Sequence, residues 1–200
     1  FNFNQFLRYF WISKYGWSTD KKLYANFKSY LNNTFTNKEE RSKFLKSFLN
    51  EILENSIHFR RLLNPQFDNF YNHIFAHPQQ YDKKIIGSLN SIKSLNIKQC
   101  YVLLLSVIRN SIEVKKKLND KSRFDKISRA VTKIFKEIET FSLLFHNLNK
   151  GQANKVEKVI YHEFALKIEE LSSKNVGDTK LIRNWSNSFF DSLSLKFENI

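Results

Sequence analysis

Two histidines, His73 and His77, stand one helical turn apart in His73-Ile74-Phe75-Ala76-His77, a spacing that can hold a divalent metal on one face of a helix. The glutamate that a zinc-protease helix carries after its first histidine is missing, no third ligand is near, and Pro78 makes that turn a helix edge. The pair therefore reads as a loop or helix-end feature, and no metal or other cofactor is expected. His58 is followed by Arg60 and Arg61 and reads as part of a basic surface, while His146 and His162-Glu163 have no placed partner that would make a base or ligand set. The single cysteine, Cys100, opens the most apolar stretch of the chain, where a buried thiol acts as a small hydrophobe and not as a nucleophile. A Gly-rich phosphate loop, a nucleophile elbow and a paired-cysteine site are all missing from the sequence. These residues assemble no catalytic set.

The remaining chemistry is charge. Lys and Arg number 33 against 19 Asp and Glu, a formal excess of +14. Such an excess attracts an anionic partner, DNA first, although a chain rich in Lys, Asn, Ile and Phe also fits adenine- and thymine-rich codon usage. Five cations, Arg123, Lys126, Arg129, Lys133 and Lys136, fall on one side of a segment whose other side is apolar. They form the candidate nucleic-acid contact. The same five suit a plain solvated face, since phosphate contact asks only for positive charge at regular reach.

The elements that would position these groups are helices. Only 4 Gly and 2 Pro serve 200 residues, too few for a fold of many short strands and tight hairpins, so the expected class is all-α, a bundle of eight or nine helices. Spacing places them at about 4–15, 20–31, 36–64, 67–75, 78–95, 97–109, 124–145, 156–171 and 178–193. Ser18-Thr19-Asp20 offers cap oxygens to the second, and Thr36-Asn37-Lys38-Glu39 forms a capping box at the third. Cys100 to Ile108 is apolar all round and is expected at the bundle centre. Lys115-Lys116-Lys117-Leu118-Asn119-Asp120 reads as a solvated connection dividing two helical halves, 1–118 and 119–200, which share one core or hold two small ones. The longest apolar run is far shorter than the roughly 17 to 25 residues that span a bilayer, so no membrane segment is expected. A lone cysteine and the lack of a secretion signal point to the cytoplasm, and the absence of Met with an opening inside helical pattern points to a segment of a longer protein.

Two stretches carry a family resemblance. Phe6-Leu7-Arg8-Tyr9-Phe10-Trp11-Ile12-Ser13-Lys14-Tyr15-Gly16, followed by Lys21-Lys22-Leu23-Tyr24, is similar to the start of the helical region in GmrSD-type restriction proteins, whose members carry an FLRHYW-like helix. Phe141 to Phe145, then Asn154-Lys155-Val156-Glu157 and Tyr161 through Ile168, resembles that family's aromatic helix, short loop and N-x-x-E helix. Where the family often has an arginine in the aromatic helix, this chain reads Leu144-Phe145-His146, and no role is carried over to that position. The resemblance implies a non-catalytic helical segment of a phage-defence protein, a nucleotide-dependent DNA endonuclease. In that family a ParB-like sensor domain with a DGQQR-type motif lies upstream and an HNH-type nuclease domain downstream. Neither motif occurs in these residues, and the superficial likeness of His73 to Gln79 to an HNH core is a coincidence of position. The alternative is a basic helical interaction scaffold for an acidic protein partner.

Overall fold

The computed structural model describes residues 2–65, 78–117, 121–148 and 157–174. Within them the protein is all-helical, with no strand. The seven α-helices are α1 (Phe3–Ile12), α2 (Leu23–Thr34), α3 (Lys38–Leu63), α4 (Pro78–Ser94), α5 (Tyr101–Lys117), α6 (Lys121–Leu148) and α7 (Glu163–Lys174). The expected helices at 67–75 and 178–193, like His73 and His77, lie outside the described residues. No helix among the described residues is long and apolar enough to cross a membrane.

Helix α5 is the axis of the bundle. Every residue from Cys100 to Ser111 is buried, because apolar side chains surround this segment instead of forming a stripe. It packs against α1, α3, α6 and α7, while α4 lies along α6. Residues on both sides of position 118 enter one buried cluster, from Phe6 on α1 to Ile168 on α7.

The helix ends show which local signals win. The cap of α3 is Asn37, whose side chain accepts the Glu40 amide at 2.8 Å, one residue after the expected Thr36 box. Asn caps as well as Thr does, and the shifted frame still has an acid at the third position. Asn64 closes the helix ahead of Pro65, as the steric limits before proline require. At the start of α2 the expected caps do something else: Thr19 makes no side-chain cap bond, a 3₁₀ turn spans Asp20–Lys22, and the buried Ser18 hydroxyl takes the Asn26 amide at 3.1 Å. After α4, Asn96 adopts φ +54° and Ile97 N–H reaches back to the Ile92 carbonyl, so an asparagine supplies the left-handed stop usually left to glycine. Lys115, Lys116 and Lys117 belong to the last turn of α5 and not to a connection. Cations at that end face the exposed carbonyls of the helix, so the dipole favours winding them in.

Leu104 is fully buried at the middle of α5. Leu104→Ala is expected to cost about 2 to 5 kcal/mol through lost burial and the cavity left behind. Urea unfolding followed by circular dichroism measures this, and a loss within the roughly 0.5 kcal/mol of an ordinary surface change would place α5 at the periphery.

Candidate functional site

Arg109 sits in the middle of α5 with 8% of its surface exposed. Its guanidinium donates to the Ser13 hydroxyl at 3.0 Å, the Ser13 carbonyl at 3.1 Å and the Glu169 carboxylate at 2.7 Å. Neighbouring Asn110 donates to the same Glu169 oxygen at 2.9 Å. One buried cation thus ties the C-terminal turn of α1 to α5 and α7. Burial alone would raise the pKa of Glu169, but the charge and hydrogen bonds of Arg109, with Asn110 and the Lys14 charge, outweigh it and hold the carboxyl below its ordinary value.

Beside this joint opens a cleft of about 600 Å³ between α3 and α5, with Lys14, Glu51, Asn55, His58, Arg61 and Lys116 in its lining. Lys14 and Glu51 close one end as an ion pair at 2.5 Å. Four cations and four carboxylates line the space, so its walls are polar yet balanced in charge. His58 is half-buried in this wall, with Arg61, Arg109 and Lys116 around it. Desolvation first, then the charges of Arg61, Arg109 and Lys116, lower its pKa to about 4, so it is neutral near pH 7. The sequence showed the arginines that follow it but not the helical turn that points its ring inward.

The remaining candidates scatter. Cys100 is buried with its thiol 3.6 Å from the Ile97 carbonyl, and burial pushes its pKa up to about 12, which leaves it an inert small hydrophobe. His162 lies at the end of a π-helical turn, Glu157–His162, against Trp17 with ring centres 5.9 Å apart. Among the described residues no group of three or more His, Cys, Asp or Glu could hold a metal.

The cationic face of α6 proves to be partly internal support. Lys126 is exposed, and Arg129 pairs with Asp125 on its own helix. Lys133 reaches Glu137 at 3.7 Å and Lys136 reaches Glu139 at 2.9 Å. Both carboxylates are only 7% exposed at their side chains, and Glu139 also accepts from Ser88 of α4 at 2.7 Å. Burial would raise the pKa of Glu139, yet the hydrogen bonds from Ser88, Lys136 and Ser91 overcome it and hold the group ionised. Two of these cations therefore stand beside buried carboxylates, whose charge is costly without a counter-charge. The signal was present in Lys133-x-x-x-Glu137 and Lys136-x-x-Glu139, spacings that bring charges together on a helix. Arg123 has no described side chain.

Two outcomes follow from these arrangements. Changing Lys133 and Lys136 together to Gln is expected to lower stability by about 1 to 3 kcal/mol, as for a buried group left without its partner. Thermal and urea unfolding measure it, and an unchanged midpoint would show that Glu137 and Glu139 do not need these lysines. Because His58 titrates at about 4 when folded and near 6.5 when unfolded, the unfolded chain binds the extra proton as pH falls between those values. Stability from this group is complete above about pH 6.5 and falls toward pH 4, by roughly 3 kcal/mol. His58→Gln should flatten the loss between pH 7 and pH 4.5 in urea titrations, and an identical slope in both proteins would exclude His58 as its source.

No family model, curated protein or solved structure matches the chain.

Proposed function

We propose that this chain is a non-catalytic helical segment of a GmrSD-type restriction protein, joining sensor and nuclease domains and touching the DNA backbone. One observation carries the reading: the two stretches that resemble that family meet at the buried Arg109 joint, through Ser13 of the first and Glu169, the residue after the second. Within the first stretch, Phe6 and Phe10 are fully buried, and Arg8 donates to the Ser18 carbonyl at 3.0 Å while lying over the Trp17 ring at 5.4 Å. Gly16 has φ +145°, a conformation that a Cβ would strain, so this turn needs glycine. Within the second, Tyr161 is buried and shares a 2.8 Å hydrogen bond with Ser142 of α6. The resemblance falls on residues that hold the bundle rigid and not on residues that do chemistry. A stiff connector between working domains needs just that.

A second reading, an interaction scaffold, is favoured by α3, which exposes Leu49 and Leu53 by more than 60%.

The DNA contact rests on Lys126 and Arg129, both exposed on the α6 face. Duplex DNA of any sequence should bind with affinity that falls as salt rises, and without cleavage. Lys126→Gln with Arg129→Gln should flatten the slope of log affinity against log salt by up to about 1.8, since each phosphate contact contributes about 0.9. Fluorescence anisotropy measures the slope. An unchanged slope reduces this face to solvated charge, and metal-dependent cleavage by the chain overturns the non-catalytic assignment.

A further inference from the structure

Helix α3 has two apolar faces. Phe48, Phe59 and Leu62 turn inward and are buried. A second row, Leu45, Leu49, Leu53 and Ile57, recurs every four residues and stands 37, 62, 65 and 45% exposed. Each step of four advances about 40° around the helix, so the row forms a gently winding ridge. Scattered exposed leucines need no explanation, but four in one row on one helix do. Beside the ridge runs an apolar groove of about 250 Å³, floored by Trp11, Phe27 and Phe48 and edged by Tyr24 and Ile52. Its outer wall, α2, buries none of its own residues fully, and Tyr24 is 76% exposed.

We infer that this face is the interface with a second copy of the same chain, with the two α3 helices near-antiparallel across a twofold axis that passes between Leu49 and Leu53. A twofold interface must be self-complementary, and here ridge and groove lie side by side on one surface, so each ridge can enter the other groove. The charges at the helix ends specify the direction. Glu39 and Glu40 occupy the first turn of α3, and Arg60 and Arg61 the last. Antiparallel apposition sets acid against base at both ends and opposes the helix dipoles, whereas parallel apposition sets like against like. Glu39 lies five whole turns before Ile57, and Arg60 about three turns after Leu49, so both fall on the ridge side. The Glu39 pairing with Lys43 is fully on the surface and does not compete strongly for that carboxylate. This inference concerns a different surface from the α6 cations and stands independently of the DNA reading. Salt separates the two: screening weakens DNA binding steeply but also lessens the general repulsion between two strongly basic chains.

Sedimentation equilibrium of the 200-residue chain tests it. The expected mass is twice 23.9 kDa, at salt high enough to abolish DNA binding. Leu49→Glu with Leu53→Glu should return the chain to monomer while its helical circular dichroism is unchanged, because both side chains are mostly exposed. Glu39→Lys alone and Arg60→Glu alone should each weaken association by about tenfold, and the two together should restore it. A monomer up to millimolar concentration, or a dimer indifferent to the Leu49 and Leu53 changes, overturns the inference. Charge reversals that add instead of cancelling overturn the antiparallel arrangement.

Discussion

A buried cation without partners is strongly destabilising, and the bundle brings partners to one from the α1 turn and from α7. Arg109 draws its partners from positions 13 and 169, so its burial is tolerable only when α1, α5 and α7 are all in place. Removing one partner of such a buried pair typically costs about 3 to 5 kcal/mol, whereas replacing the whole set by well-packed apolar groups can cost nothing. The joint is therefore better understood as a specifier than as a source of stability. It links the α1 turn to α7 through one side chain. The hydroxyl of Ser13 reinforces this by donating to the Phe10 carbonyl at 2.8 Å while it accepts from Arg109, so the turn cannot shift without breaking both bonds.

The same logic distributes the excess positive charge. Along α6, Lys133 and Lys136 neutralise carboxylates that α6 buries, and Glu139 reaches across to Ser88 on α4. In the cleft, Lys14, Arg109 and Lys116 are each matched by a carboxylate within hydrogen-bonding distance. A net charge of +14 thus says little about any one face. Part of it stands beside carboxylates in the cleft and along α6, and a charge whose partner lies on the surface is screened by solvent.

Local patterns were legible in the sequence and long-range ones were not. The all-round apolar run from Cys100 to Ile108 identified the central helix, since no other arrangement buries all its sides. Pro65 marked a helix boundary because its backbone limits act without any partner, whereas α1 ends at Ile12 with Ser13 as its cap, short of the end at Tyr15 that Gly16 suggested. The Asn37 cap was displaced by one residue since two adjacent side chains could serve, and only the folded helix chooses between them. Lys115 to Lys117 were misread for a related reason: polarity signals solvent exposure, and a helix end is as exposed as a loop. The site itself was hidden. Arg109 and Glu169 are 60 residues apart, and no periodicity relates them. An arginine inside an otherwise apolar helix was the available clue, because such a residue must either leave the core or find a carboxylate.

The aromatic layer explains why α2 and α3 leave apolar surface uncovered in a chain whose centre is tightly closed. Trp11, Tyr15, Phe27, Tyr30, Phe44 and Phe48 contact one another with ring centres mostly 5 to 6 Å apart, many edge to face. Rings of this size cover a helix face with few residues, and their geometry is directional. They fasten α2 to α1 and α3 along one side only, since the other side carries Asn32, Asn33 and Lys28 in water. An element held by one face has few buried contacts and opens more easily than the core behind it. The groove that α2 walls is therefore adaptable, while the α3 ridge next to it is anchored through Phe48, Phe59 and Leu62 to the rigid centre. A firm ridge beside a yielding groove can adjust to an occupant without disturbing the buried joint at Arg109.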